Sequence, residues 1–122
     1  MNIEKIESQI AIGKTILKEL SIVHPHKIQT ALETIAETYM DKLPQHVQDE
    51  YSNYLTFKII YEKDKTLDSA YLTFGSWDTA KITLDIIGIK IVYVPEHGSS
   101  SEIVGLPWNI IKSYFNGLIL EK

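Results

Sequence analysis

The feature that most constrains the fold is a change of apolar period near residue 54. Before it, Ile3, Ile6, Ile10, Gly13, Leu17 and Leu20 recur at spacings of 3, 4, 3, 4 and 3, the rhythm of one helix face. Ile12 and Ile16 add a second apolar row. Pro25 suits the first turn of a second helix, where its missing N–H costs nothing. Ile28, Leu32, Ile35 and Tyr39 continue that face until Leu43-Pro44 ends or kinks it, because the residue before proline is pushed out of the helical region. Val47, Tyr51 and Leu55 allow a short third helical segment.

Beyond that point the chain is strand-like. Tyr54 to Tyr61 (YLTFKIIY) is dense in aromatic and β-branched residues, which favour a pleated, half-buried surface. Glu62-Lys63-Asp64-Lys65 is a charged turn, Ser69 to Phe74 a second run, and Gly75-Ser76-Trp77-Asp78 the next punctuation. Lys81 to Ile86 alternates at period 2, and Gly88 separates it from Ile89 to Val94 as either a bulge or a tight turn. Such short connections exclude parallel crossovers. Pro107 opens a closing helix with Trp108, Ile111, Phe115 and Leu118 on one face, and Asn116-Gly117 is its expected stop. The expectation is one α+β domain over 1–122, with helices packed on an antiparallel meander of three to four strands. Within it, 1–53 is mainly helical, 54–95 forms the sheet, 96–106 is a loop and 107–120 a helix.

Composition removes several functions. The chain has no cysteine, so no disulfide, thiolate zinc site or cysteine nucleophile exists. All 12 basic side chains are lysine, where about six arginines would be ordinary for this length. Arginine is the preferred bidentate reader of guanine edges and phosphates. An acidic chain without it is a poor nucleic-acid binder, so no direct nucleic-acid contact is expected. No apolar run approaches the ~18 residues that span a bilayer, and the N-terminus lacks a signal-peptide pattern. A cytoplasmic protein without membrane contact is expected.

Chemical motifs are sparse. Gly13-Lys14-Thr15 resembles the tail of a phosphate loop, yet position 8 is Ser where the pattern needs glycine, and the triplet lies inside a helix. Close helix packing explains Gly13 better. His24-Pro25-His26, His46 and His97 show no metal-ligand spacing, and the first pair reads as a helix cap. Glu96-His97 beside Ser99, Ser100 and Ser101 lacks the nucleophile-elbow pattern. Tyr54, Phe57, Tyr61, Tyr71, Phe74, Trp77 and Tyr93 are expected mainly in core and sheet-face packing. No catalytic residue, metal or cofactor is assigned.

One charge feature stands out. The chain carries a formal net charge of −4, and the 26 residues from Gln29 to Tyr54 account for all of it. Their acids are Glu33, Glu37, Asp41, Asp49 and Glu50, against Lys42 alone. On a continuous helix, Glu33, Glu37 and Asp41 fall at i, i+4 and i+8 along one row, where like charges repel by a few tenths of a kcal/mol per pair. Tyr51 adjoins them, and tyrosine is enriched at interfaces. In size, composition and this acidic stretch, the chain resembles the small cytoplasmic immunity proteins of bacterial competition systems, which bind a basic nuclease and block it. That resemblance implies a non-enzymatic toxin inhibitor and assigns no residue a role. The charge pattern itself puts contact with a basic protein partner at Glu33, Glu37, Asp41, Asp49, Glu50 and Tyr51, on a monomer or homodimer. The alternative is an adaptor that binds a small molecule or peptide in a pocket between sheet and C-terminal helix.

Overall fold

A computed structural model describes the backbone of residues 3–120 and the side chains of residues 7–115. The order is α1 (Ile3–Leu20), α2 (Pro25–Thr38), a 3₁₀ turn (Met40–Lys42), α3 (Gln45–Gln48), β1 (Thr56–Tyr61), β2 (Leu67–Phe74), β3 (Thr79–Asp85), β4 (Gly88–Val94), β5 (Ser101–Pro107) and α4 (Trp108–Leu120). The strands form one antiparallel sheet in the order β1-β2-β3-β4-β5. The α+β meander is as expected, with five strands rather than three or four.

The additional strand corrects the loop expected over 96–106. Ser101–Pro107 pairs with β4, leaving only the stretch up to Ser100 as hairpin loop. The pairing shifts between Ile91 and Val92, so Ile103 is an extra residue opposite them. That bulge breaks the period-2 pattern by which the strand would have been read. Gly88 resolves as a turn element. Asp85 pairs with Gly88 across Ile86-Ile87, and Gly88 takes φ 139°, which favours glycine. At the C-terminus, α4 continues through Asn116-Gly117 to Leu120.

One sheet face is the core. Phe57, Leu72, Ile82, Ile91 and Val104 stand in register across all five strands, and Ile59, Ala70, Leu84, Ile89 and Leu106 form the next row. Helical residues cover them: Leu17 and Leu20 from α1, Ile28, Leu32 and Ile35 from α2, and Trp108, Ile111 and Phe115 from α4. Ile16 joins this core and Ile12 packs against it, so the second row of α1 is not an open stripe. Ile3, Ile6 and Leu118 lie outside the described side chains. The other sheet face carries Lys58, Tyr71, Thr83 and Lys90 in register. Lys81 adds a charge there, its Nζ 4.5 Å from the centre of the Tyr71 ring.

Gly13 sets the position of α1. A Cβ at that residue would fall 1.9 Å from the carbonyl oxygen of Ile86 and 2.6 Å from Trp108 Nε1. The helix therefore rests directly on the β3–β4 turn. Trp108, fully buried, donates its indole N–H to that same Ile86 carbonyl at 2.9 Å. Between sheet and α4, where the adaptor reading places a pocket, Trp108, Ile111 and Phe115 are all buried, and the first and last meet edge-on at 5.8 Å.

Candidate functional site

The acidic stretch divides when it folds. α2 ends at Thr38 and Tyr39 leaves helical geometry, so the row of three acids does not extend to Asp41. Glu33 and Glu37 remain one turn apart on α2, and Glu33 accepts a hydrogen bond from Gln29 at 3.0 Å. Asp41 lies exposed on the 3₁₀ turn. Asp49 is exposed just after α3 and accepts from Gln45 Nε2 at 2.9 Å.

Tyr51 and Glu50 are drawn inward by different partners. Tyr51 packs edge-on against Phe74, ring centres 4.9 Å apart. Its hydroxyl is buried without a hydrogen-bond partner among the described residues. Burial pushes the phenol up to about 12, and the charges of Glu37 and Glu33 add to the effect. The structure thus brings Glu33, Glu37 and Tyr51 into one electrostatic neighbourhood. Glu50 instead reaches the β2–β3 loop, where its carboxylate accepts from the Ser76 amide at 2.8 Å and from the Ser76 hydroxyl at 2.7 Å. Those bonds hold its carboxyl below the ordinary range.

The same loop has a second anchor that sequence reasoning missed. Asp78 accepts from the Glu96 amide at 2.8 Å, from His46 Nε2 at 2.6 Å and from the Tyr93 hydroxyl at 2.8 Å. The Glu96 amide, His46 and Tyr93, in that order, lower the Asp78 carboxyl to about 2. The bond to Asp78 in turn raises Tyr93. His46 comes from α3, Asp78 precedes β3 and Tyr93 lies near the end of β4, so no local spacing announces the cluster. The His46 and Tyr93 rings meet edge-on at 6.3 Å.

Between the two anchors stands Trp77, 71% exposed. The backbone of this loop joins the segment before β1, since Gly75 N–H donates to Asn53 C=O at 2.9 Å. Tyr54 follows Asn53 and is 74% exposed. It sits at φ 55°, a left-handed conformation that a bulky side chain rarely adopts. Two aromatics expected in packing are therefore among the most exposed side chains. Of the others, Phe74 is buried, Phe57, Tyr71 and Tyr93 are half-buried, and Tyr61 is exposed. For Trp77 the available signal is its place in the 75–78 turn; Tyr54 counts into the first strand-like run, but the strand begins only at Thr56.

No known protein family, curated protein or solved structure matches this chain. Function has to be read from the surface itself. Among the described residues, no group of three or more His, Asp or Glu side chains is placed to hold a metal. No helix there is long and apolar enough to cross a membrane. His24 caps α2, its Nδ1 accepting the His26 amide at 3.1 Å. His97 is exposed on the β4–β5 loop, 4.0 Å from Glu96. What converges near α3 and the β2–β3 loop is two exposed aromatics, a hydrogen-bonded mount, and the acids Asp49 and Glu50.

Proposed function

We propose that this chain is a non-enzymatic protein-binding inhibitor, an immunity-type cytoplasmic protein that neutralises a basic toxin of the nuclease type by covering it. The observation that carries the reading is Trp77, held out to solvent on a loop tied down at both Ser76 and Asp78. Exposing a large aromatic forfeits burial, and immobilising it beforehand lowers the entropy lost on binding. Trp and Tyr anchors carry much of the energy in protein interfaces, and surrounding acids steer a basic partner to them. In this reading Glu37, Asp41 and Asp49, with the half-buried Glu33 and Glu50, supply the acidic side around the inward-packed Tyr51, and Tyr54 and Trp77 are the apolar anchors. Glu50 serves twice, as a charge and as the brace of the loop. The strain at Tyr54 agrees with this, because unfavourable backbone conformations gather at binding sites.

The test asks whether a basic protein co-purifies with the chain from its native host, and measures the association kinetics of that pair against salt. Reversing Glu37, Asp41 and Asp49 to lysine, three exposed acids whose one hydrogen bond here is to the exposed Gln45 side chain, is expected to slow association about tenfold or more at low salt and flatten the salt dependence. Trp77→Ala is expected to weaken affinity about thirtyfold or more through faster dissociation. An unchanged association rate in the triple variant removes the acidic surface from the account, and unchanged affinity in Trp77→Ala removes the loop.

A further inference from the structure

At the opposite end of β2 from Trp77, some 20 Å away at about 3.3 Å per strand residue, α1 bridges the rim of the sheet. Two contacts frame its C-terminal half. Gly13 rests on Ile86, and Ser21 Oγ accepts the Leu67 amide at 2.7 Å while donating to Leu17 C=O at 2.7 Å. These supports are eight residues apart, about 12 Å along a helix. Between them opens a cleft of about 500 Å³.

Its floor is apolar, made by Leu17, Leu67 and Ile86, and its walls carry opposite charges. Lys14 and Lys18, one turn apart, line the helix side, while Glu62, Asp68 and Asp85 line the sheet side. Asp68 is there because of a β-bulge. Ile60 pairs with Ser69 and Tyr61 with Leu67, so Asp68 is the unpaired extra residue. Bulges of this kind re-aim side chains beside functional sites. Asp68 Oδ2 accepts from Ser69 Oγ at 3.1 Å and Asp85 Oδ1 from the Ile87 amide at 2.9 Å, which fixes each carboxylate and leaves its second oxygen. Yet among the described residues neither Lys14 nor Lys18 comes within 4.0 Å of a carboxylate. Facing charges that share a cleft without pairing leave room for a ligand carrying both signs.

We propose that this cleft binds a zwitterionic di- or tripeptide, its carboxylate on Lys14 and Lys18, its ammonium against Asp68 and Asp85, and its side chain on the Leu17–Leu67 floor. A cleft of about 500 Å³ is of the size that holds a ligand of a few residues. Lysines are point charges, so the carboxylate is held by attraction rather than by a bidentate fork. The site is independent of the toxin-inhibitor reading and stands or falls separately.

The experiment titrates the isotope-labelled chain with the dipeptide leucyl-glycine and follows amide shifts by NMR. Expected are saturable shifts at residues 14–18, 67–71 and 85–87, with the loop at 75–78 unmoved. N-acetylation or C-amidation of the dipeptide is each expected to weaken binding about tenfold or more, the usual effect of losing one charge-assisted contact. Lys14→Gln with Lys18→Gln, both exposed positions, abolishes the penalty of C-amidation, and Asp68→Asn reduces that of N-acetylation. Three outcomes overturn the proposal: no saturable shift up to about 10 mM dipeptide, a concentration that would reveal any useful affinity; capped forms binding as tightly as the free one; or shifts confined to another surface.

Discussion

The two turns at the ends of β3 are held by opposite means. The β3–β4 turn, Ile86-Ile87, is fixed from inside, by Gly13 and Trp108 packed on a carbonyl. The β2–β3 loop, residues 75–78, is fixed from outside, by Glu50, His46, Tyr93 and the Glu96 amide. The first arrangement depends chiefly on volume, with a single carboxylate bond, Asp85 Oδ1 to the Ile87 amide, on its outer side. The second consists of charge-assisted hydrogen bonds in partly wet surroundings, which change with protonation and contribute little net stability. A turn that supports the core needs the first kind. A loop that presents Trp77 to a partner needs only to be held still.

The largest effect should follow from disturbing the inner turn. Gly13→Ala raises helix propensity by about 1 kcal/mol, and on an isolated helix it would stabilise. Here the new methyl meets backbone at 1.9 Å, and backbone cannot move as a flexible side chain would. Separating α1 from the turn also stretches the Trp108 bond to Ile86. We expect a net loss of about 2–3 kcal/mol, typical of overpacking, seen as a lower urea midpoint with unchanged slope. A neutral or stabilising result would mean that α1 does not bear on this turn.

These regions also differ in how far the sequence disclosed them. Close packing at Gly13 was legible, because a glycine on the buried stripe of a helix has few other uses. The helix cap at His24 and the charged turn at 62–65 were legible for the same reason: their partners are neighbours in the chain. The anchors of the 75–78 loop were not. Glu50 to Ser76 spans 26 residues and His46 to Asp78 spans 32, and no periodicity encodes such pairs. The cleft was hidden too, since Asp68 enters it through a bulge that period-2 reading cannot register. The acids of 29–54 were correctly seen as a concentration of charge, but a single helical turn lost at Tyr39 dispersed the row into separate roles.

A smaller, local effect is expected at the outer loop. The Asp78 carboxyl, lowered to about 2 by the Glu96 amide, His46 and Tyr93, favours its charged form in the folded chain. A depressed carboxyl contributes its support fully above the ordinary carboxyl range near 4 and loses it as pH falls through about 2. Glu50 shifts in the same direction through Ser76. Exchange protection of the Glu96 amide should therefore fall across that acidic window ahead of protection at Ile82 and Leu84 in the core. In Asp78→Asn it should be weak at every pH, with the urea midpoint nearly unchanged. Simultaneous loss at loop and core would show that the outer bonds support the fold after all.

The smallest expected change has the opposite sign. Tyr54 holds a left-handed φ of 55° while burying little of its ring. A left-handed residue with a Cβ costs roughly 1–2 kcal/mol, and asparagine tolerates the conformation better through local hydrogen bonding. Tyr54→Asn removes almost no packing, so the strain released should exceed what is lost, raising stability by about 0.5 kcal/mol in urea unfolding. Had Tyr54 been retained for the fold, the same change would destabilise. If stability rises while affinity for the basic partner falls, the residue is kept in a strained position for what it presents, which is the distinction between the outer loop and the inner turn measured at a single side chain.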